Sequence, residues 1–335
     1  MQNFLKNFKE SVDFTSLKQG SFFFLNGFMV KVDAVAEDRL SVSVVDSDKK
    51  KNVYSGITIA ELKRLLHYNE DETNSEEGAM DADGNFKHAK FEDIKFMLEE
   101  GIPVYLVGPA GSGKNVLCKQ LADDMGLDFY YANCVLTKFD LVGYGDANGR
   151  YVPTPFYKAF TEGGLFMLDE FDASDESAAI TLNAALANGY FDFPVIGNVK
   201  AHPNFRVISA GNTVGRGADE EYTGRSCLDA STLDRFAVEW VDYDARIERK
   251  IAREGIVDFI RDLRQARDKA GIKMILGYRA LDRMAKLEVK FSKSKVLKTG
   301  VLKGMDKDEI RILSNLLLKQ DNEYAKTLKI ISEEA

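Results

Sequence analysis

The sequence predicts an α/β protein in which a five-stranded parallel sheet with flanking helices carries a phosphate loop. A C-terminal helical lid subdomain follows, and a small β-rich N-terminal module precedes. Three observations carry this expectation. Short apolar runs at 104–107, 129–132, 165–168, 206–210 and 237–241 alternate with helix-length amphipathic stretches, the pattern of a parallel sheet covered on both faces. The first run leads directly into Gly108-Pro109-Ala110-Gly111-Ser112-Gly113-Lys114-Asn115, a glycine loop that opens a helix. After Asp244 the strands stop, and 245–254, 257–270 and 279–290 read as helices.

Taken in order, residues 1–68 form the β-rich module. Two apolar runs, 22–25 and 28–32, flank Asn26-Gly27, a hairpin signal because both residues tolerate positive φ. Residues 40–44 alternate as a half-buried strand does, and 59–66 read as a short closing helix. Residues 69–88 read as a flexible linker. Glu70, Asp71, Glu72, Glu76, Glu77, Asp81 and Asp83 repel one another there with no basic residue between them. The nucleotide-binding α/β part spans 89–243, and the lid with a basic tail spans 244–335. That tail holds six lysines against one glutamate over 286–303, and a last amphipathic stretch covers 307–318.

Composition excludes several classes. With 335 residues, 45% hydrophobic and 29% charged, the chain is long enough for two or three folded units and too apolar for global disorder. A net charge of −8 argues against a surface built for non-specific nucleic-acid binding. Cys118, Cys134 and Cys227 lie far apart, and His67, His88 and His202 are the only histidines. This excludes a disulfide scaffold and a Cys/His zinc site, and it fits a reducing cytoplasm. No apolar run is long enough to span a bilayer, and the first residues lack the apolar stretch of a secretory signal. The expected location is cytoplasmic, without membrane contact.

The chemistry concentrates at strand ends. Glycines let successive N–H groups wrap phosphates, the helix N-terminus at Lys114, Asn115 and Val116 adds its positive dipole end, and Lys114 reaches the β/γ-phosphates. Asn115 stands where the motif ordinarily has Ser or Thr, so an amide oxygen replaces the metal-ligating hydroxyl. The run 165–168 ends in Asp169 and Glu170, candidates for metal ligand and general base. Asn212, after the run 206–210, is placed to bridge the γ-phosphate and the attacking water. Asn133, after 129–132, either holds Glu170 in an off position or is a turn residue. Arg225, Arg235 and Arg279 are candidates to neutralise charge on the transferred phosphoryl group.

This order of motifs resembles an AAA+ ATPase core over about residues 91–290. The finer wording resembles the MoxR-like branch, particularly the AAA+ subunit of cobalt chelatase (CobS-like proteins). Phe139-Asp140-Leu141-Val142-Gly143, Gly163-Gly164-Leu165, His202-Pro203-Asn204-Phe205-Arg206, Ala210-Gly211-Asn212-Thr213, Tyr222-Thr223-Gly224 and Thr232-Leu233-Asp234-Arg235-Phe236 carry it. The resemblance implies Walker A at 108–115, Walker B at Asp169 with Glu170 catalytic, and sensor 1 at Asn212. It also implies a trans-acting arginine finger at Arg235 and sensor 2 at Arg279, with Arg225 a further finger candidate.

Two insertions are implied as well, at 141–153 around Tyr144 and Tyr151 and at 190–199 with Phe191 and Phe193. Their aromatics are either plain surface hairpins or grips on a substrate. The implied activity is Mg²⁺-dependent ATP hydrolysis by a homo-oligomeric ring, a hexamer, that remodels a protein partner. The family commonly works with a von Willebrand A-domain partner. A nucleic-acid motor using the lysine-rich tail, and a slow nucleotide-gated scaffold following from Asn115, are the alternatives.

Overall fold

The computed structural model describes residues 22–25, 28–36, 39–45, 51–58, 80–81, 83–215, 217, 224–318 and 320–334. The chain divides into two compact units, Met1–Glu77 and Gly78–Ala335. In the first, β1 (Phe22–Leu25), β2 (Phe28–Ala36), β3 (Arg39–Val45) and β4 (Lys51–Thr58) form an antiparallel meander in that order. Leu25 pairs with Phe28, which leaves two residues to reverse the chain. Asn26-Gly27 themselves, the expected helix at 59–66 and residues 69–79 lie outside the described residues. Val32 and Val42 pair across β2 and β3, and both are buried.

The second unit holds the parallel sheet. Its strands are β5 (Val104–Val107), β6 (Phe129–Ala132), β9 (Gly164–Leu168), β12 (Phe205–Gly211) and β13 (Ala237–Trp240), in the order β13-β5-β12-β9-β6. All five expected strands are present and parallel. Every residue of β5 and β9 is buried, because helices cover both faces, whereas the edge strands β6 and β13 are only partly buried.

Side chains alternate between two cores with period two. Val104, Leu106, Leu165 and Met167 meet Phe91, Ile94 and Leu98 of α1 (Phe91–Glu99) and Leu117 and Leu121 of α2 (Lys114–Asp124). Tyr105, Val107, Phe166 and Leu168 face the opposite way. They meet, beyond the short α3 (Lys138–Val142), Phe156 and Phe160 of α4 (Pro155–Glu162) and Leu182 of α5 (Glu176–Asn188).

Two small hairpins interrupt this core, β7 (Tyr144–Gly145) with β8 (Tyr151–Val152) and β10 (Tyr190–Phe193) with β11 (Gly197–Lys200). They occupy the two expected insertions. A four-residue helix, α6 (Ala230–Leu233), leads to β13.

The remaining helices are α7 (Ala245–Ile251), α8 (Glu254–Ala270), α9 (Tyr278–Glu288), α10 (Lys293–Gly300), α11 (Lys307–Leu316) and α12 (Glu323–Glu334). They share one core, to which α8 contributes Ile256, Phe259, Ile260 and Leu263 at helical spacing. The helix expected over 245–254 ends earlier, at Ile251, because Ala252 is extended (φ −142°). Glu254 instead opens the next helix, where a carboxylate suits the positive end of the dipole. Of the six tail lysines, Lys286, Lys293 and Lys298 are paired with Asp282, Glu323 and Glu334, so the tail is less of a free basic patch than its composition suggests.

Candidate functional site

Strand register brings the chemistry together. Val107 pairs with Gly211, and Leu168 with Ser209, so the C-terminal ends of β5, β9 and β12 lie side by side. Gly108, Asp169 and Asn212 therefore emerge at one sheet edge, the place where open α/β sheets bind ligands. A cavity of about 410 Å³ opens there, lined by residues 110–117, Asp169, Glu170, Asn212, Tyr278 and Arg279 among others.

The loop cannot be built without its glycines. A side chain at Gly108 would lie 2.0 Å from the Val241 carbonyl oxygen, and Gly111 and Gly113 have φ of +79° and +89°. Gly113 caps α2 without a side-chain bond, which leaves the first N–H groups of the helix facing the cavity. Lys114 is buried, and its ammonium donates to the carbonyls of Gly108 (2.7 Å) and Pro109 (3.1 Å) and to Asn212 Oδ1 (3.3 Å). Burial pulls its pKa down to about 8. Ser112 Oγ is buried with no hydrogen-bond partner among the described residues. A buried hydroxyl beside uncapped amides and an ammonium fits a polyphosphate, which would satisfy all three.

Both carboxylates of the Asp-Glu pair are engaged. Asp169 Oδ1 accepts from the Glu170 N–H (2.9 Å), and Oδ2 accepts from Asn115 Nδ2 (2.7 Å) and the Tyr131 hydroxyl (3.1 Å). Glu170 adopts a left-handed backbone (φ 51°), unusual for a side chain with a Cβ. Its Oε2 lies 3.5 Å from Arg225 Nη1, which is also 3.4 Å from Asp172 Oδ1. No hydrogen bond joins Asn133 to Glu170 among the described residues. The partner that engages Glu170 is an arginine more than fifty positions later in the chain, which no local pattern announces.

Asp172 carries no motif in the sequence beyond a third carboxylate in Asp169-Glu170-Phe171-Asp172, yet it organises the site. It is fully buried, and its Oδ2 accepts from the Asn212 N–H (3.1 Å), the Thr213 N–H (2.9 Å) and Thr213 Oγ1 (2.9 Å). One carboxylate thus ties the end of β12, and with it Asn212, to the segment after β9.

The lid sits directly on the loop. The Tyr278 N–H donates to the Gly111 carbonyl (2.9 Å), and the Tyr243 hydroxyl donates to the Ala110 carbonyl (3.2 Å). The Tyr243 ring lies under Arg264, 3.8 Å from its guanidinium carbon, and Arg264 joins Arg261 on the buried Glu248. Arg279, one residue into α9, lines the cavity, whereas Arg235 is exposed and does not line it.

Asn85, Phe86 and His88, in the segment read as linker, also line the cavity with Ile247 and Ile251. The His88 ring donates from Nε2 to the Asp242 carbonyl (3.0 Å) and accepts at Nδ1 from the Lys90 N–H (3.1 Å). Burial lowers its pKa, so it is a neutral strap rather than a charged group.

The insertions correct the expectation for the aromatics. Phe193 is buried and Phe191 is partly buried, both within the α4–α5 core, and the Tyr151 hydroxyl is tied to the Val142 carbonyl (2.7 Å). The exposed apolar groups are Tyr144, Tyr190, Val195 and Ile196. Val195, at the tip of β10–β11, has φ 66° and packs where Gly145 leaves room.

A parallel sheet with a glycine loop, strand-end acids and a helical lid seated on the loop defines a phosphate-loop α/β protein of AAA type. The chain belongs to the AAA-domain family: residues 103–236 match the AAA domain of the dynein-related subfamily. An uncharacterised protein of Staphylococcus epidermidis is 30% identical over 183 residues, which cover 51% of this chain and 67% of that protein. An uncharacterised Staphylococcus aureus protein is 30% identical over 177 residues, covering 49% and 65%. Among solved structures, NtrX from Brucella abortus aligns with a TM-score of 0.40 at 19% identity, over 79% of this chain and 56% of NtrX. A Thermotoga maritima RuvB mutant aligns with a TM-score of 0.35 at 14% identity, over 77% and 73%. Neither structural likeness says what this chain does. No described helix is long and apolar enough to cross a membrane.

Proposed function

We propose that this chain is an Mg²⁺-dependent ATPase of the MoxR/CobS type that works as a ring, a hexamer, and remodels a protein partner. The observation that carries the reading is the convergence of Lys114, the uncapped α2 N-terminus, the partnerless Ser112 hydroxyl, Glu170 and Asn212 on one cavity. In this reading residues 108–116 wrap the triphosphate, and Lys114 leaves its carbonyl partners for the β/γ-phosphates. Asp169 and Asn115 would hold Mg²⁺, which neutralises phosphate charge when bound. Glu170 orients and deprotonates the water once Arg225 releases it, and Asn212 holds the γ-phosphate side of that water. Arg279 contacts nucleotide in its own subunit, and Arg235, exposed and away from its own cavity, reaches the neighbour's. The exposed apolar tips at Tyr144, Val195 and Ile196 are the surface offered to a protein client, with a von Willebrand A-domain protein as the expected co-worker.

Lys114→Ala is expected to abolish ATP binding measured by titration calorimetry, and Glu170→Gln to retain binding while stopping phosphate release. Unchanged ATP affinity in the lysine variant sinks the phosphate-loop assignment. A slow nucleotide-gated scaffold is the second reading, favoured by the engagement of both Asp169 and Glu170 in the resting site. Nucleotide-dependent assembly with negligible phosphate release distinguishes it.

A further inference from the structure

Asp169 Oδ2 accepts two hydrogen bonds, from Asn115 Nδ2 at 2.7 Å and from the Tyr131 hydroxyl at 3.1 Å. The amide must face Asp169 with its NH₂, because the reverse orientation would set oxygen against oxygen at that distance. A carboxylate oxygen offers about two lone-pair sites, so both sites of Oδ2 are occupied. Tyr131 reaches Asp169 because β6 and β9 are parallel and in register, Tyr131 opposite Met167. It is 42% exposed, so its side chain contributes little to either core and its polar end is directed at Asp169. Neither donor belongs to the ordinary motif at its position, where a hydroxyl on α2 offers an acceptor lone pair to the cation.

Resting on the reading of this loop as a nucleotide site, we propose that Asn115 and Tyr131 form a two-donor cap on Asp169 that competes with the divalent cation. Oδ2 would become available to a hydrated divalent cation only after one donor leaves, since Mg²⁺ and Mn²⁺ are held by few carboxylates and keep much of their hydration shell. The cation threshold of nucleotide loading is then set by α2 and the edge strand β6 together. Tyr131 is a positioning residue in this scheme, acting through Asp169.

The test is a Mn²⁺ titration of the full-length chain saturated with ADP, read as the electron paramagnetic resonance signal of free Mn²⁺. Tyr131→Phe, which keeps the ring at a half-exposed edge position, is expected to lower the half-saturating Mn²⁺ about two- to tenfold, the worth of one hydrogen bond. Asn115→Thr is expected to shift it the same way, and to shift it less in the Tyr131→Phe background, because both changes free the same oxygen. Tyr130→Phe, whose hydroxyl bonds Glu162 instead, serves as the control and is expected to leave the titration in place. Should Tyr131→Phe fold poorly, Tyr131→Leu carries the same expectation. A half-saturation that stays put or rises on losing the Tyr131 hydroxyl overturns the cap, as do equal Asn115→Thr shifts in both backgrounds. Failure of wild type to bind ADP in EDTA overturns the site reading itself, and the cap with it.

Discussion

At the residue scale, buried polar groups divide into those that do chemistry and those that hold others in place. His88 belongs to the second kind. Its folded pKa lies below the unfolded value near 6.5 because burial disfavours the imidazolium. The unfolded chain therefore binds more protons just below that value, and the stability His88 contributes is present above about pH 6.5 and is lost as pH falls from there through the lower folded pKa. Wild type is expected to lose more thermal stability between pH 7.5 and pH 5.5 than His88→Asn, and equal losses would exclude this source. Asp172 is the more consequential case. A buried carboxylate accepting three bonds costs heavily to break, so Asp172→Ala is expected to destabilise by roughly 3–5 kcal/mol in denaturant melts. Asp172 was not legible in the sequence, since an Asp inside the short 3₁₀ turn Phe171–Ala173 that follows a strand looks like any polar turn residue. Lys114, Asp169 and Glu170 were legible, because their spacing from the glycines and the apolar run is itself the constraint.

At the element scale, the sheet was legible strand by strand because β5 and β9 are buried on both faces and apolar throughout, and the other strands still stand out as short, mostly apolar runs. The lid contact was not. Gly277 reads as an ordinary helix-opening glycine, but a side chain there would lie 2.6 Å from the Ala110 carbonyl oxygen and 2.9 Å from that of Gly111. Those atoms are backbone and cannot give way. Gly277→Ala is therefore expected to lift α9 from the loop and weaken ATP binding at least tenfold. Both subdomains should keep their fold, since each has its own core. Unchanged affinity would mean that the lid does not shape the loop. The β10–β11 hairpin separates into a core and a tip. Phe193→Ala is expected to cost about 3–5 kcal/mol, whereas Ile196→Ala should stay within about 0.5 kcal/mol and act, if at all, on a client.

At the scale of the whole molecule, Arg235 is exposed and does not line the cavity of its own chain, and the proposed ring gives it a role at a neighbouring one. Removing Arg235 is expected to leave nucleotide binding intact and to lower turnover by roughly 10³-fold, the scale of an arginine finger. Mixing Arg235→Ala with Glu170→Gln subunits should restore part of the activity, because one kind of interface then pairs an intact finger with an intact Glu170. If mixed rings form and stay inactive, Arg235 is a structural residue before β13. Arg225 is a poorer candidate for that role, since its guanidinium already lies between Glu170 and Asp172 of its own chain.

The sequence by itself determined the fold class, the phosphate loop, the strand-end acids and the order of the subdomains. Local rules govern all of these: period-two burial, glycine φ, and the reach of a side chain from a strand end. Tertiary structure alone decided which partners those residues keep. Arg225 reaches Glu170, Tyr131 reaches Asp169, and Gly277 meets Ala110 only because distant segments are brought together by the sheet order and the closure of the lid. Such contacts depend on strand register and on where a helix lands, and a hydrogen-bond partner remote in sequence leaves no trace in the residue that accepts it.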